Sequence, residues 1–321
     1  MRILKFTAVI AAGVLAIGVA AYAYFLYSPD PTPPHLNGKV KTATIQVGPR
    51  LRSYVEHIPA RLPAGAPLVI ALHGTTMDGA QMRKFTGYEF DSLADTHGFA
   101  VFYPDAYKTN WNDCRKAGAV AAKLEHVDDV GFILALIAKA QSEFKIDPKK
   151  VFLVGYSNGG HMAMTLATLS PSPAASIAIF GADLSTSDNS TCSQDSRTPP
   201  IMIVDGTDDP LNPYNGGEIT IFGFQHMGTV VSAPATAEAF ARRNGIGTQP
   251  SEEMLPHRDP RDPTSVQRLT WRKDSEPYVV LYSVRGGGHT VPQPVFHYPR
   301  LLGRTTKDLD GPAQAIAFFH L

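Results

Sequence analysis

The sequence is poor in cysteine, poor in charge and without an excess of either charge sign. Only 2 of its 321 residues are cysteines, so neither a disulfide framework nor a multi-cysteine zinc site can organise the fold. Its 29 basic residues equal its 29 acidic residues, which argues against a nucleic-acid partner, because such proteins carry a basic surface. Charged residues make up 18% and hydrophobic residues 44%, a composition that excludes disorder and predicts a large core.

A long uncharged segment, residues 6–27, follows Arg2 and Lys5 at the N-terminus. The segment is long enough to span a bilayer as a helix. Its basic start and the Ala-Tyr-Ala of residues 21–23 are also typical of a secretory signal with a cleavage site. Residues 1–28 are therefore expected to be a cleaved signal peptide or a single-pass membrane anchor. The protein is accordingly expected to be secreted or periplasmic, with anchoring to the membrane as the alternative.

A proline-rich tether at residues 29–38 precedes one expected domain, residues 39–321. Short apolar segments alternate there with longer helical patterns. Strands are predicted at 42–47, 53–58, 67–72, 100–103, 151–155, 176–180, 200–204 and 278–284, and helices at 91–96, 130–144, 160–170, 234–244 and 312–319. This alternation predicts an α/β fold, a doubly wound, mostly parallel sheet with helices on both faces. Ligands bind such sheets at the carboxyl ends of the strands.

Ser157 occupies the centre of a G-x-S-x-G sequence between a predicted strand and a predicted helix. Small residues on both sides permit a sharp turn that exposes the serine hydroxyl at a helix N-terminus. The pattern therefore indicates a nucleophile rather than an incidental serine in a glycine turn.

A serine nucleophile requires a base, and the base requires an acid to orient it. His289 is the candidate base, because it follows the last predicted strand in a loop with three glycines. Asp205, Asp208 and Asp209, which follow the strand before it, are candidates for the acid. Their spacing does not separate them, and at least one is expected to be a solvated turn residue.

Backbone N–H groups must stabilise the oxyanion that forms when a serine attacks an ester. Asn158, directly after the nucleophile, and Thr75, after a His-Gly pair at the end of a predicted strand, are the expected donors. Trp111 is expected to bind substrate beside the pocket, with core packing as the alternative. No metal and no organic cofactor is expected for this chemistry.

Several motifs together resemble one known family. They are Leu72-His73-Gly74, Trp111-Asn112-Asp113, Asp128-Asp129-Val130-Gly131-Phe132, Ser157-Asn158-Gly159-Gly160, Asp209-Pro210 and Gly286-Gly287-Gly288-His289-Thr290. From residue 40 onward the chain resembles the secreted polyhydroxybutyrate depolymerase and feruloyl esterase-like branch of the α/β-hydrolases. The resemblance implies Ser157 as nucleophile, Asp209 as acid and His289 as base. This family usually has a histidine where Asp205 stands.

The expected function is that of an exported serine esterase that cleaves carboxylic esters, small or polymeric, through an acyl-enzyme. Two alternatives remain open: an acyltransferase or peptidase with the same three residues, and an inactive anchored binding module. In an oxidising compartment Cys114 and Cys192 either form a disulfide or remain separate thiols.

Overall fold

The computed structural model describes residues 13–321 with the exception of residues 194, 222 and 248. Twelve strands lie in these ranges: β1 (Lys39–Val47), β2 (Arg50–Ile58), β3 (Leu68–Leu72), β4 (Ala100–Pro104), β5 (Val151–Tyr156), β6 (Ser176–Phe180), β7 (Ile201–Gly206), β8 (Gly217–Ile221), β9 (Gln225–Val230), β10 (Ser251–Met254), β11 (Ser265–Lys273) and β12 (Glu276–Arg285). One sheet has the order β1-β2-β4-β3-β5-β6-β7-β12-β11-β10, and β8 and β9 form a separate hairpin. The central strands from β4 to β12 are parallel, whereas both edges are antiparallel.

Helices cover both faces of the sheet. In the described ranges they are α1 (Gly79–Phe85), α2 (Glu89–His97), α3 (Ala121–Leu124), α4 (Asp129–Phe144), α5 (Asn158–Ala167), α6 (Ala233–Arg243) and α7 (Gly311–Phe318). Helices α4, α5 and α6 contribute to the core on one face, and α1, α2 and α7 to the core on the other. The uninterrupted apolar sequence of β3 supplies both cores with alternate side chains, as parallel strands buried on both faces do. The expected doubly wound fold is therefore confirmed.

Each predicted strand and helix is present, with ends within three residues of those observed. Strands β8 to β11 and the short helices α1 and α3 are additional. All of β10 is exposed and β11 is polar, so neither shows the apolar pattern on which the prediction depended. Pairing with a neighbouring strand decides their conformation instead.

The N-terminal expectation falls partly outside the described residues, since residues 1–12 are not among them. Residues 13–21 are helical and continue into a wider helical turn, Tyr22–Leu26, with exposed apolar side chains. Within the described ranges, no helix combines the length and the apolar character that crossing a membrane requires.

A disulfide joins Cys114 to Cys192, so the first of the two cysteine alternatives applies. It ties the segment after β4 to the segment between β6 and β7. Backbone hydrogen bonds from Lys116 to Asn189 and from Thr191 to Cys114 run alongside it. The disulfide and these two hydrogen bonds therefore hold the two segments together.

Candidate active site

A cavity of about 360 Å³ opens where the central parallel strands end. Thr75, Ser157, Asn158 and His289 all line it. Thr75 follows β3, Ser157 and Asn158 follow β5, and His289 follows β12. Much of the remaining lining is apolar: Met77, Phe85, Leu211, Ile219, Ile221, Met227, Phe296 and Leu302. Hairpin β8–β9 supplies three of these side chains, a contribution that the sequence did not predict.

Ser157 lies on the sharp turn between β5 and α5. Its φ of +53° and ψ of −118° are strained for a residue with a side chain. The turn is fixed by a hydrogen bond from the Ser157 N–H to Phe180 O, 2.8 Å long. A Cβ at Gly159 would lie 2.1 Å from Leu72 O, so only glycine allows the helix to approach β3 this closely. The local sequence thus forces the serine outward.

His289 and Asp209 are hydrogen-bonded at the edge of the cavity. His289 Nδ1 lies 2.6 Å from Asp209 Oδ2, and both side chains are almost completely buried. The second oxygen, Asp209 Oδ1, accepts hydrogen bonds from the backbone N–H groups of Leu211 and Asn212. With Nδ1 engaged by a carboxylate, Nε2 is the ring nitrogen available to accept a proton.

Gly181, directly after β6, supports this pair and was not recognised from the sequence. Its φ is +61°, and a Cβ there would lie 2.8 Å from His289 Nδ1 and 3.7 Å from Asp209 Oδ2. A methyl group at this position would push the imidazole away from its carboxylate. A glycine at the end of a central strand was the signal that could have identified it.

The other two candidate acids do not contact His289. Asp208 is exposed and accepts a hydrogen bond from Thr207 Oγ1, so it is the solvated turn residue that was expected. Asp205 is buried, and neither of its carboxyl oxygens has a hydrogen-bond partner in the described part of the chain. Burial and the neighbouring Asp183 and Asp209 carboxylates raise the pKa of Asp205 well above its usual value. The backbone N–H groups of Gly181 and Ala182 lie near the carboxyl and lower its pKa slightly, although neither forms a hydrogen bond of normal geometry with it.

Asp205 belongs to a buried group that we call the histidine-side cluster: Asp183, Asp205, Asp209 and Asn212. Asn212 connects two of the carboxyls: its side-chain Nδ2 donates to Asp183 Oδ2 at 2.8 Å, and its backbone N–H donates to Asp209 Oδ1. Burial raises the pKa of Asp183 to about 7, although hydrogen bonds from Asn212 and Thr236 oppose the rise. Asp183 and Asn212 were not recognised as relevant from the sequence.

Thr75 and Asn158 flank Ser157 with their backbone N–H groups. Within the described ranges neither N–H has a hydrogen-bond acceptor. Between them lies Gly74, where a Cβ would lie 3.3 Å from Ser157 Cβ. His73 Nδ1 donates to Gly74 O at 2.7 Å, and the Ala106 N–H donates to His73 Nε2 at 2.9 Å, which fixes the neutral tautomer. Burial lowers the pKa of His73, consistent with that form.

Trp111 corrects an expectation. It is completely buried and is not among the described residues that line the cavity, so the packing alternative applies and a direct substrate contact does not. Its indole Nε1–H donates to His73 O at 2.9 Å, and its backbone N–H donates to Asn158 Oδ1 at 2.8 Å. The indole and imidazole ring centroids are 5.1 Å apart. These contacts join segments 38 and 47 residues apart, a relation that no local sequence pattern contains.

A second buried group, the oxyanion-side cluster, consists of Asp113, Arg115, Lys123 and Asn158. Asp113 accepts hydrogen bonds from Arg115 Nε, from Lys123 Nζ at 2.9 Å and from Asn158 Nδ2 at 2.6 Å. Burial alone would raise the pKa of Asp113, but the Arg115 guanidinium and the Lys123 ammonium hold it well below its usual range. Of the two neighbouring aspartates before α4, Asp128 caps the helix and the buried Asp129 pairs with Arg52 at 2.7 Å.

The mostly parallel sheet with helices on both faces is the α/β-hydrolase fold. The chain matches the dienelactone hydrolase family over residues 79–243, just over half of its length, and belongs to that family. The structure resembles the acetyl xylan esterase from Aspergillus awamori with a TM-score of 0.60 at 16% identity, covering 87% of this chain and 99% of the other. That likeness confirms the expected fold.

Curated relatives carry the same chemistry in their names. The "Putative esterase NocK" of Nocardia uniformis subsp. tsuyamanensis is 27% identical over 309 residues, which cover 93% of this chain and 88% of that protein. The poly(3-hydroxyalkanoate) depolymerase C of Paucimonas lemoignei is 26% identical over 252 residues, covering 74% of this chain and 58% of the relative. Family and relatives thus support carboxylic ester hydrolysis as the activity, in agreement with the resemblance read from the sequence.

Proposed function

We propose that this protein is an exported serine esterase that hydrolyses carboxylic esters through an acyl-enzyme. The observation that supports it most is the 2.6 Å contact of His289 Nδ1 with Asp209 Oδ2 beside a cavity that Ser157 lines. A carboxylate on Nδ1–H holds the imidazole in the tautomer whose Nε2 can accept the serine proton. Asp205 and Asp208 lack such a contact, which favours Asp209 as the acid.

In the proposed reaction His289 removes the hydroxyl proton while Ser157 Oγ forms a bond to the ester carbonyl carbon. The backbone N–H groups of Thr75 and Asn158 donate to the resulting oxyanion. His289 then returns the proton to the alkoxide, which leaves as the alcohol, and the acyl group remains on Ser157. Water repeats the sequence in place of the serine and releases the acid.

The proposed substrates are polyhydroxybutyrate-type polyesters or aryl and sugar esters. The mostly apolar cavity of about 360 Å³ has room for a short or aryl acyl group, and relatives are named for hydroxyalkanoate, acetylxylan and feruloyl ester cleavage. Nitrophenyl, hydroxybutyrate and feruloyl esters assayed side by side would rank these classes. Product analysis with added alcohol would reveal acyl transfer as a competing activity.

The test of the mechanism is Ser157→Ala. It should lower kcat by several powers of ten and abolish any burst of product, because the members of such a triad act as a unit. Ser142→Ala, at an exposed position on α4, is the matched control and should retain wild-type kcat. Near wild-type activity of Ser157→Ala with correct folding would refute the proposed nucleophile.

Export is part of the proposal, with residues 1–28 as signal or anchor. The tether after this segment approaches the cavity, since Asp30 is among its lining residues and pairs with Lys84 at 2.7 Å. The mass of the mature protein decides between the alternatives. A soluble form beginning near Tyr24 indicates cleavage, whereas full-length protein that resists a high-salt wash of membranes indicates an anchor.

A further inference from the structure

We propose that Trp111 is a positioning residue that holds the two oxyanion donors in fixed relation to each other. This inference rests on the proposed function, because it concerns the N–H groups of Thr75 and Asn158. Trp111 does not line the cavity, yet it is hydrogen-bonded to the segment that carries each donor. It therefore acts through its neighbours and not on the substrate.

The first link runs from the indole to the Thr75 N–H. Trp111 Nε1–H donates to the carbonyl of His73, and the His73 ring donates to the carbonyl of Gly74. In a trans peptide the carbonyl and the N–H point in opposite directions. Because the Gly74 carbonyl is directed at the His73 ring, the N–H of Thr75 is directed away from that ring. Loss of the indole bond frees the carbonyl of the His73–Gly74 peptide, which directly precedes the Gly74–Thr75 peptide, and thereby loosens the segment that orients the Thr75 N–H.

The second link runs from the Trp111 backbone to Asn158. The Trp111 N–H donates to Asn158 Oδ1, and the amide of the same side chain donates to Asp113 Oδ2 at 2.6 Å. Asn158 is the first residue of α5, so its side chain is fixed at the point where its own backbone N–H borders the cavity. One residue therefore connects both donors, which arise from loops after different strands.

A hydrogen-bond donor held out of place loses much of its value in the transition state but little in the ground state. Trp111→Phe keeps an aromatic ring and removes the indole donor. We expect kcat to fall roughly 10-fold to 100-fold, a part of the loss that follows removal of a whole oxyanion donor, with KM within about twofold. Trp271→Phe is the matched control, because Trp271 is also almost completely buried but lies on β11, which β6, β7 and β12 separate from the strands that precede the two donors.

An aryl trifluoromethyl ketone separates positioning from general stability. Ser157 Oγ adds to the ketone carbon, the serine proton passes to His289, and the ketone oxygen becomes an oxyanion at the two donors. For Trp111→Phe the inhibition constant should rise by the same factor as kcat falls, whereas a non-hydrolysable ether analogue should bind as to wild type. Trp271→Phe should change neither constant.

Asn158→Ala provides a second route that leaves the core indole in place. It retains the backbone N–H but loses both side-chain bonds, so it should weaken the ketone complex in the same way. The double variant should lose less than the product of the single effects, because both changes disrupt one network. Ketone affinity in Trp111→Phe equal to that in Trp271→Phe would overturn the inference. Activity surviving in Ser157→Ala would instead overturn the proposed function.

Discussion

The two polar clusters beside Ser157 are equally buried but oppositely charged. In the oxyanion-side cluster one carboxylate, Asp113, meets two cations, Arg115 and Lys123. In the histidine-side cluster the Asp183 and Asp205 carboxyls lie near Asp209 with no cation paired to them among the described residues. The pKa of Asp113 falls while the pKa values of Asp183 and Asp205 rise. Between these two clusters the presence of paired cations, rather than a difference in burial, accounts for the opposite pKa directions of Asp113 and Asp205.

Because of this difference, the two clusters are expected to respond differently to a change in pH. In the oxyanion-side cluster the pKa of Asp113 is held well below its usual range by Arg115 and Lys123, so this carboxylate stays ionised at neutral pH and continues to accept their hydrogen bonds. In the histidine-side cluster burial raises the pKa of Asp183 to about 7 and that of Asp205 well above its usual value, so both carboxyls favour the protonated form over a wider pH range than free carboxyls do.

The largest effect should come from Asp209, the proposed acid, which contacts the proposed base His289. Asp209→Asn should lower kcat by about 10² to 10⁴, because an amide can hold the imidazole in the wrong tautomer. Asp208→Asn, its exposed neighbour in the same turn, should cost about tenfold or less, since solvent screens its charge. Steady-state kcat values with circular dichroism as a folding control measure both. Equal losses in the two variants would remove the distinction between them.

The next effect should come from the carboxylate of the oxyanion-side cluster. Asp113→Asn leaves Arg115 and Lys123 buried without a counter-charge, and breaking such a pair costs about 3–5 kcal/mol of unfolding free energy. Urea unfolding at pH 7 measures this loss. Asp128→Asn, at the exposed cap of α4, should leave stability nearly unchanged, because asparagine caps helices as well as aspartate does. A stability of Asp113→Asn matching that control would show that the cations are balanced by other groups.

Residues whose role is local could be predicted from the sequence. Ser157 follows a strand, precedes a helix and has glycine on both sides, and the chemistry of a nucleophilic turn depends on just these neighbours. The apolar sequence of β3 likewise contains the information that it is buried on both faces. Short-range patterns therefore predicted the sheet and the position of Ser157 on the turn between β5 and α5.

Residues whose role depends on distant partners could not be predicted. Asp205 lies in buried strand β7 and Asp208 in the exposed turn three residues later, and the Asp183 carboxylate that raises the pKa of Asp205 is more than 20 residues away in the sequence. Trp111 similarly reaches His73 and not the cavity because of chain segments that meet only after folding. The sequence therefore identified the candidate residues, whereas tertiary contacts decided which of them is buried and which lines the cavity.

The smallest effect on kcat, and the sharpest test of the comparison, is expected for Asp205→Asn. A buried carboxyl that carries a proton differs little from an amide in charge and shape, so kcat should change about tenfold or less at pH 6.

The pH dependence of stability should change more. Because the folded-state pKa of Asp205 is raised above its unfolded value near 3.8, the folded protein binds more protons than the unfolded chain above pH 4. The wild-type protein therefore loses stability as pH rises, by up to about 1.4 kcal/mol per pH unit for such a group. Glu89, whose pKa burial raises to about 8, adds to this loss equally in both proteins. The advantage of Asp205→Asn over wild type in urea unfolding should thus grow from pH 5 to pH 8, while Asp208→Asn should run parallel to wild type. A constant difference between the wild-type and Asp205→Asn curves would mean that Asp205 is ionised throughout, and the contrast between the two clusters would then fail.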